Sequence, residues 1–297
     1  MTNIRRRTLC LGSVALAALH PLVVWSQARP PRVVASFSIL ADIAQELAPA
    51  GVQVMALVGP DADAHVYEPT PADSKRLAQA DLMLVNGLGF EGWIDRMVKA
   101  SGYRGPVAVT SQGIQARKDG EQIADPHAWQ DLALARRYAA NISAAFTQRW
   151  PAQRDLIARR HADFVARIDQ LDAQVREWLG VVPRAQRRVI TSHDAFGYFG
   201  AAYGVDFLAA QGWTTHSQPS AAAVARLIRQ VRREGVRAIF VENISDPRLI
   251  ERIAREGGAH VGGTLYSDAL SRPGGPADTY LKLFEHNARS LAAALQA

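Results

Sequence analysis

A long helical stretch without any strand-like run, from Asp131 to about Leu179, divides the sequence into two parts of similar pattern. On each side of it, four short runs of β-branched and aliphatic residues alternate with helix-like segments. Such alternation is typical of parallel sheets built from β-α-β units. The sequence therefore predicts an α/β protein of two lobes, each a mainly parallel four-stranded sheet flanked by helices, joined by a long bridging helix.

The eight predicted strands cover residues 32–36, 52–58, 81–86, 106–110, 187–192, 205–210, 236–243 and 260–267. The bridging segment follows a break at Pro151, and its apolar residues recur at helical spacing. They are Leu156, Phe164, Ile168, Leu171 and Val175. This periodicity predicts one buried stripe on a helix whose charged residues face solvent.

The first 28 residues have the layout of an export signal: three consecutive arginines, an apolar run and a small residue, Ala28, at the end. A membrane anchor is the alternative, but His20 and Pro21 interrupt the apolar run before the ~20 residues that a spanning helix needs. We therefore expect a signal peptide at 1–28 that is removed after export by either the general or the twin-arginine route. The mature chain then has an N-terminal lobe at 29–150, a bridging helix at 151–181 and a C-terminal lobe at 182–297.

Cleavage after Ala28 would remove three of the 34 basic residues and none of the 28 acidic ones, so the formal charge would fall from +6 to +3. This balance gives little reason to expect a nucleic-acid partner. Cleavage also removes Cys10, the only cysteine, which follows Arg7, Thr8 and Leu9 rather than the small residues of a lipid-attachment site. We therefore expect a soluble, monomeric periplasmic protein with no disulfide and no thiolate for a metal.

The segment "GLGFEG", Gly87 to Gly92, fits the dinucleotide-binding pattern G-x-G-x-x-G after a predicted strand. However, no acidic residue ends the next strand, and Glu91 would repel a pyrophosphate. We therefore interpret the glycines as a turn, with Glu91 near a helix N-terminus, where negative charge is favourable.

Three histidines and one aspartate follow the carboxyl ends of predicted strands, where open α/β sheets bind ligands. They are His65, His127, His193 and Asp268, two from each lobe. Three imidazoles and a carboxylate suit tetrahedral zinc. The sequence therefore predicts a metal site in the cleft between the lobes.

The remaining histidines of the mature chain are weaker candidates. His161 falls inside a predicted helix, His260 begins a strand at the opposite end of the sheet, and His286 lies in the last helix. His216 follows the sixth strand and stays open as an auxiliary ligand.

Two hydrolase mechanisms compete with metal capture. The residues of "SHD", 192–194, are consecutive and so do not form a serine-protease triad, and no G-x-S-x-G occurs. An exported zinc-dependent hydrolase would use three histidines and a water, with Asp268 or Glu68 as general base. No H-E-x-x-H occurs, and ligands spread over two lobes are better suited to capture by closure of a cleft.

Several motifs, in order along nearly all of the mature chain, resemble those of the zinc- and manganese-binding solute-binding proteins of bacterial ABC importers. They are "DAHVYEPTPAD", "ADLMLVNGLGFEGW", "DPHAW", "SHDAFGYFGAAYG", "SAAAVARLIRQVR", "FVEN" and "GGTLYSDAL". The resemblance implies two α/β lobes bridged by a long helix, metal ligands at His65, His127, His193 and Asp268, no catalysis, and delivery of the metal to an inner-membrane permease driven by an ATPase. A metallochaperone that loads the site is a further possible partner.

The resemblance leaves the metal between zinc and manganese. Manganese members typically carry a carboxylate in place of His193, and nitrogen donors favour zinc. Zinc members often carry a histidine-rich insertion before the second ligand, whereas "SQGIQARKDGEQIADP" has no histidine. We expect zinc, with manganese as the alternative. For the carboxylates that orient the imidazoles, Asp125, Asp194 and Glu242 are the candidates. The aromatic residues Phe196, Tyr198 and Trp129 either shield the metal or belong to the core.

Overall fold

The structure, a computed structural model, describes residues 29–118, 122–236 and 238–296. The expected signal peptide at 1–28 lies outside the described residues. The described chain forms two sheets of four parallel strands with flanking helices, and a helix of 27 residues stands between them in sequence. The predicted fold class is confirmed.

The first sheet has the strand order β2-β1-β3-β4, and all of its pairings are parallel. Its strands are β1 (Arg32–Phe37), β2 (Gln53–Val58), β3 (Leu82–Val85) and β4 (Val107–Val109). The connecting helices are α1 (Ser38–Leu47), α2 (Pro71–Ala78) and α3 (Ile94–Ser101). Parallel pairing places the carboxyl ends of all four strands at one edge of the sheet.

The second sheet repeats this order as β6-β5-β7-β8, again with parallel pairings. Its strands are β5 (Arg188–Thr191), β6 (Asp206–Ala209), β7 (Ala238–Glu242) and β8 (His260–Leu265). Its helices are α6 (Gly197–Tyr203), α7 (Ala221–Glu234), α8 (Pro247–Gly257) and α9 (Tyr280–Gln296). Two further helices, α4 (Leu132–Arg149) and α5 (Arg154–Gly180), lie between the two sheets in sequence. In each sheet the second strand in sequence pairs on one side of the first, and the third pairs on its other side. The switch point therefore lies beside β1 in the first sheet and beside β5 in the second.

Helix α5 contacts both parts of the molecule. Near its start, the side-chain oxygen of Gln153 accepts a 2.8 Å hydrogen bond from the backbone of Ala50, and near its end Arg176 donates to the carbonyl of Ala202 at 3.0 Å. The predicted stripe is buried with one exchange: Leu156 is half-buried and the next residue, Ile157, is buried instead. The helix therefore packs along one face while its charged face stays in solvent.

Local sequence explains where the site-bearing loops end. The loop that carries His65 ends at the N-cap Thr70, whose side chain accepts from the backbone of Asp73 while Asp73 bonds back to Thr70. Pro71, at the first helical position, adds a preset φ. This capping box fixes the point at which the loop becomes helix α2.

The "GLGFEG" segment forms a turn, with Gly87 and Gly89 at φ of 85° and 80°. Glu91 lies three residues before α3, near the N-terminus of that helix as expected, but its side chain does not face the helix. Its buried carboxylate turns back toward β3 and accepts hydrogen bonds from the backbone N–H groups of Asn86, at 2.6 Å, and Gly87, at 3.1 Å. Glu91 therefore holds the turn that follows β3.

No helix in the described part of the chain combines the length and the hydropathy that crossing a bilayer requires.

Candidate metal centre

The four residues selected from strand ends converge on one point. His65 lies in the loop between β2 and α2, His127 precedes a short 3-10 turn at Ala128–Gln130, and His193 follows β5 by two residues. Asp268 lies three residues after β8. One ligand atom from each of the four lies within 4.8 Å of all the others.

The distances between these atoms suit a small ion at their centre. Nε2 of His65 lies 3.4 Å from Nε2 of His127 and 3.2 Å from Oδ2 of Asp268. Nε2 of His193 lies 3.1 Å from the same oxygen. Donors of a tetrahedral zinc ion, with bonds of about 2.0 to 2.2 Å, stand about 3.3 to 3.6 Å apart. These three separations are close to that spacing, and the remaining pairs lie within 4.8 Å.

The site is closed to solvent. His127, His193 and Asp268 are fully buried, and His65 is 2% exposed. Two further carboxylates, Asp125 and Glu242, are fully buried beside them. Buried carboxylates are costly unless positive charge is near. A divalent cation would supply that charge, so the donor set and its surroundings fit a metal ion.

His127 is held from behind by Asp125. Nδ1 of the imidazole lies 2.8 Å from Oδ1 of Asp125, and the same oxygen accepts the backbone N–H of His127 at 3.0 Å. The other oxygen lies 3.5 Å from Nε of Arg117. With Nδ1–H donating to a carboxylate, Nε2 is left as the lone-pair nitrogen that faces the centre.

Glu242 lies behind His193 and contacts both its ring and its backbone. Nδ1 of His193 lies 2.6 Å from Oε2 of Glu242, and the backbone N–H of His193 donates to Oε1 at 2.8 Å. Glu242 is the last residue of β7, the strand next to β5. Two of the three suggested orienting carboxylates therefore contact an imidazole. The third, Asp194, forms no hydrogen bond or ion pair with an imidazole in the described part of the chain.

The charges around the centre shift the ionisation of its members. Burial lowers the pKa of His65 below its ordinary value. Burial acts in the same direction on His193, but the carboxylates of Glu242 and Asp268 raise its pKa well above the ordinary value. Burial would raise the pKa of Asp268, yet His193 and His127 hold it well below its usual range. Asp268 is thus an ionised carboxylate, as a metal ligand must be.

Aromatic rings wall the N-terminal side of the centre. The ring of Phe90 lies 4.8 Å from that of His65, edge to face, and the ring of Trp129 lies 5.3 Å from that of His127. Nε1 of Trp129 donates to the carbonyl of Ser267, next to Asp268. Trp129 therefore shields the site and ties the two halves of the ligand set together. Phe90 was missed in the sequence because it lies inside a glycine turn, where periodicity gives no sign of burial.

The other aromatic candidates belong to the surroundings. Phe196 stacks on Phe207 at 5.1 Å, and the hydroxyl of Tyr198 donates to the carbonyl of Asp125 at 2.9 Å. Tyr198 thus supports the loop of the second histidine without contacting the centre.

None of the other histidines in the described residues joins the cluster. His216 and His260 are exposed, His161 lies within α5, and His286 contacts the carbonyl of Thr264 at 3.0 Å. The auxiliary role suggested for His216 has no support from this arrangement, because its side chain is outside the four-residue group.

Residues 33–294 match the model of the family described as ZnuA, zinc-uptake complex component A, periplasmic. The chain belongs to this family. Curated relatives include the iron-binding protein YfeA of Yersinia pestis, 32% identical over 95% of this chain and 91% of that protein. They also include the zinc-binding protein TroA of Treponema pallidum, 32% identical with 89% of each chain covered, and the manganese-binding lipoprotein MntA of Bacillus subtilis, 31% identical with 89% and 90% covered.

Solved structures of the ZnuA family share the fold. The periplasmic zinc-binding protein TroA from Treponema pallidum superposes with a TM-score of 0.86 at 30% identity, covering 89% of this chain and 99% of that one. A manganese-bound periplasmic metal-binding protein from Candidatus Liberibacter asiaticus gives a TM-score of 0.81 at 29% identity, with the same coverage. The resemblance seen in the sequence is confirmed.

Family membership determines the general role. This chain is a metal-binding solute-binding protein of an ABC importer and not an enzyme. The hydrolase alternative is therefore wrong. Such proteins work with a membrane permease and an ATPase. The relatives are named for zinc, manganese and iron, so membership alone does not select the metal.

Proposed function

We propose that this protein captures a zinc ion outside the cytoplasm, holds it with His65, His127, His193 and Asp268, and delivers it to its permease. The observation that carries the proposal is the donor set: three imidazole nitrogens and one carboxylate, spaced 3.1 to 3.4 Å apart where neighbouring atoms contact. Nitrogen donors favour zinc over manganese at comparable geometry. The buried carboxylates behind two of the imidazoles increase their basicity as ligands.

Manganese is the second candidate, and one feature favours it. Oδ1 of Asp268 is buried, has no hydrogen-bond partner among the described residues and lies 3.6 Å from Nε2 of His127. This oxygen offers a fifth donor, and a metal that takes more ligands would use it. The metal-free mature chain should therefore be titrated with zinc and manganese against a chelator of known affinity. One tight zinc site that manganese does not displace supports the proposal, whereas equal or tighter manganese binding transfers the function to manganese supply.

We also propose that the mature chain begins at Arg29 as a freely soluble periplasmic protein, with 29–150 and 182–297 as its lobes and 151–181 as the bridge. Several relatives are named lipoproteins. Here the only cysteine, Cys10, follows Arg7, Thr8 and Leu9, a context unlike a run of small residues. Mass spectrometry of the exported chain is the test. A lipid on Cys10 would contradict free release, and an N-terminus at Arg29 would support it.

We propose that the protein delivers its metal to an ABC permease of the inner membrane. We further propose that it acts as a monomer and binds no nucleic acid. A metallochaperone that loads the site is a further candidate partner. Co-purification of the zinc-loaded chain with the permease in detergent would test the first partner. Binding that requires the metal-loaded form would support delivery.

A further inference from the structure

The carboxylate of Asp268 lacks the kind of support that two of the imidazoles have. A carboxylate oxygen lies 2.8 Å from Nδ1 of His127, and another lies 2.6 Å from Nδ1 of His193. Within the described residues, the hydrogen-bond and ion-pair partners of the Asp268 carboxylate are the three imidazoles themselves. The direction of this side chain therefore has to come from the backbone that carries it.

The carbonyl of Ser267, directly before Asp268, is held by two side chains from the turn that follows His127. Nε1 of Trp129 donates to this oxygen at 2.9 Å, and Nε2 of Gln130 donates to it at 2.8 Å. Trp129, Gln130 and Ser267 are all fully buried. Because a carbonyl oxygen has two lone pairs, both of its acceptor positions are used and the peptide unit before Asp268 is fixed.

Gln130 also contacts the backbone of another proposed ligand. Its own backbone N–H donates to the carbonyl of His127 at 3.0 Å, within the 3-10 turn. Its side chain reaches Ser267 across 137 residues of sequence, so the link joins the N-terminal and C-terminal parts. The distance of 3.6 Å between Nε2 of His127 and Oδ1 of Asp268 spans the two segments that this link holds together.

The amide of Gln130 is a costly group at this position. Its Oε1 is buried and has no hydrogen-bond partner among the described residues. A buried acceptor without a partner destabilises the folded state. An apolar side chain of similar size would avoid that cost, and the carbonyl of Ser267 would keep the N–H of Trp129. A contribution to stability therefore does not account for the amide, whereas a role beside the metal centre does.

We propose that Gln130 is a positioning residue for Asp268 and, through it, for the choice of metal. The inference rests on the proposed function. With its peptide fixed, Asp268 presents Oδ2 to His65 at 3.2 Å and to His193 at 3.1 Å, and Oδ1 stays at 3.6 Å from His127. One carboxylate oxygen and three nitrogens make the four-coordinate shell that zinc takes. A carboxylate that is free to turn offers both oxygens, which suits manganese.

Gln130→Met tests this role, because methionine fills a similar volume and has no N–H to donate. Zinc affinity, measured by competition with a chelator, should fall by about 10-fold, in the range found when a ligand loses an outer partner. Manganese affinity should fall by a smaller factor, so that the ratio of zinc to manganese affinity decreases. The urea midpoint of the metal-free variant should not fall, since the substitution also removes the unpaired Oε1.

Gln153→Met is the matched control. The amide of Gln153 also contacts a backbone, that of Ala50, and lies outside the four-residue cluster. Its loss should lower the urea midpoint of the metal-free chain and leave both metal affinities unchanged.

Equal fold-changes for zinc and manganese in Gln130→Met, or an unchanged zinc affinity, would overturn the inference. Tight zinc binding by the unaltered chain would then leave the proposed function intact. Absence of a tight zinc site in the unaltered chain overturns both.

The indole donor supplies an independent variant. Trp129→Phe removes the N–H and keeps an aromatic ring beside His127. Since both donors act on one carbonyl, the fold-change in zinc affinity of the double variant should differ from the product of the two single fold-changes by more than about twofold. Agreement with the product would show that the two side chains act separately and would contradict a shared anchor at Ser267.

Discussion

Nδ1 of His127 lies 2.8 Å from Oδ1 of Asp125, and both side chains are fully buried. The carboxylate fixes the ring orientation and keeps the proton on Nδ1, so that Nε2 faces the centre as a ready ligand. The two residues are separated by one proline in the chain, and Tyr198 from the C-terminal part holds the carbonyl of the same aspartate. Ligand orientation thus depends on a contact between the two halves of the molecule.

The first prediction follows from this contact. Asp125→Asn should weaken zinc binding by about 10- to 100-fold, because the neutral amide no longer increases the basicity of the imidazole. Competitive chelator titration measures the change. Asp155→Asn, at an exposed position of α5, is the control and should bind as the unaltered chain does. Equal affinity in both variants would show that the carboxylate is not used.

The second prediction concerns Asp268, the carboxylate among the proposed ligands. Asp268→Ala should weaken zinc binding by more than about 100-fold, since even the loss of an outer partner costs 10- to 100-fold. Circular dichroism of the metal-free variant should show a folded chain. His216→Ala removes an exposed histidine outside the cluster and should leave the affinity unchanged. Zinc affinity retained by Asp268→Ala would remove it from the ligand set.

The third prediction is that zinc stabilises the folded chain. An ion that binds the folded state alone adds about 4 kcal/mol to the free energy of unfolding at 1,000 times its dissociation constant. Urea denaturation with and without zinc measures this gain. His193→Ala should lose most of it, because it removes a donor that is fully buried at the centre. A variant that gains as much as the unaltered chain would place the ion elsewhere.

The fourth prediction uses a carboxyl group outside the four-residue cluster. Burial raises the pKa of Asp42 to about 6, while its carboxylate accepts the backbone N–H of Tyr280 at 2.7 Å. The folded state therefore holds a proton that the unfolded state, with a pKa near 3.8, releases earlier. The contribution of Asp42 to the free energy of unfolding should fall as the pH rises from about 4 through 6, and the penalty persists above that.

Asp42→Asn removes this dependence, because the amide oxygen still accepts from Tyr280 but carries no charge. The metal-free variant should nearly match the unaltered chain at pH 4 and exceed its stability by about 3 kcal/mol at pH 7.5, as measured by urea denaturation. Asp163→Asn, at an exposed position of α5, is the control. A variant that is less stable than the unaltered chain at pH 7.5 would contradict the sign of the argument.

Much of the fold was predictable because its pattern is local. Runs such as Val33 and Val34 in β1, or Val189 and Ile190 in β5, are continuous apolar strands, which is typical of sheets covered on both faces. The glycine turn at 87–92 was predictable as a turn, but not the direction of Glu91. Its hydrogen bonds go back to the end of β3, and only the folded turn brings these groups together.

The sequence by itself determined the architecture and the four residues at the centre, because strand ends are marked in the chain and parallel strands place these ends at one edge. Tertiary structure decided the surroundings of each candidate. Glu242, 49 residues from His193, contacts its imidazole, whereas the adjacent Asp194 does not. Asp63 and Thr215 meet across the cleft in the same way. These contacts depend on how the two sheets are placed when their flanking helices α1, α4, α6 and α9 pack against α5, which no local pattern records.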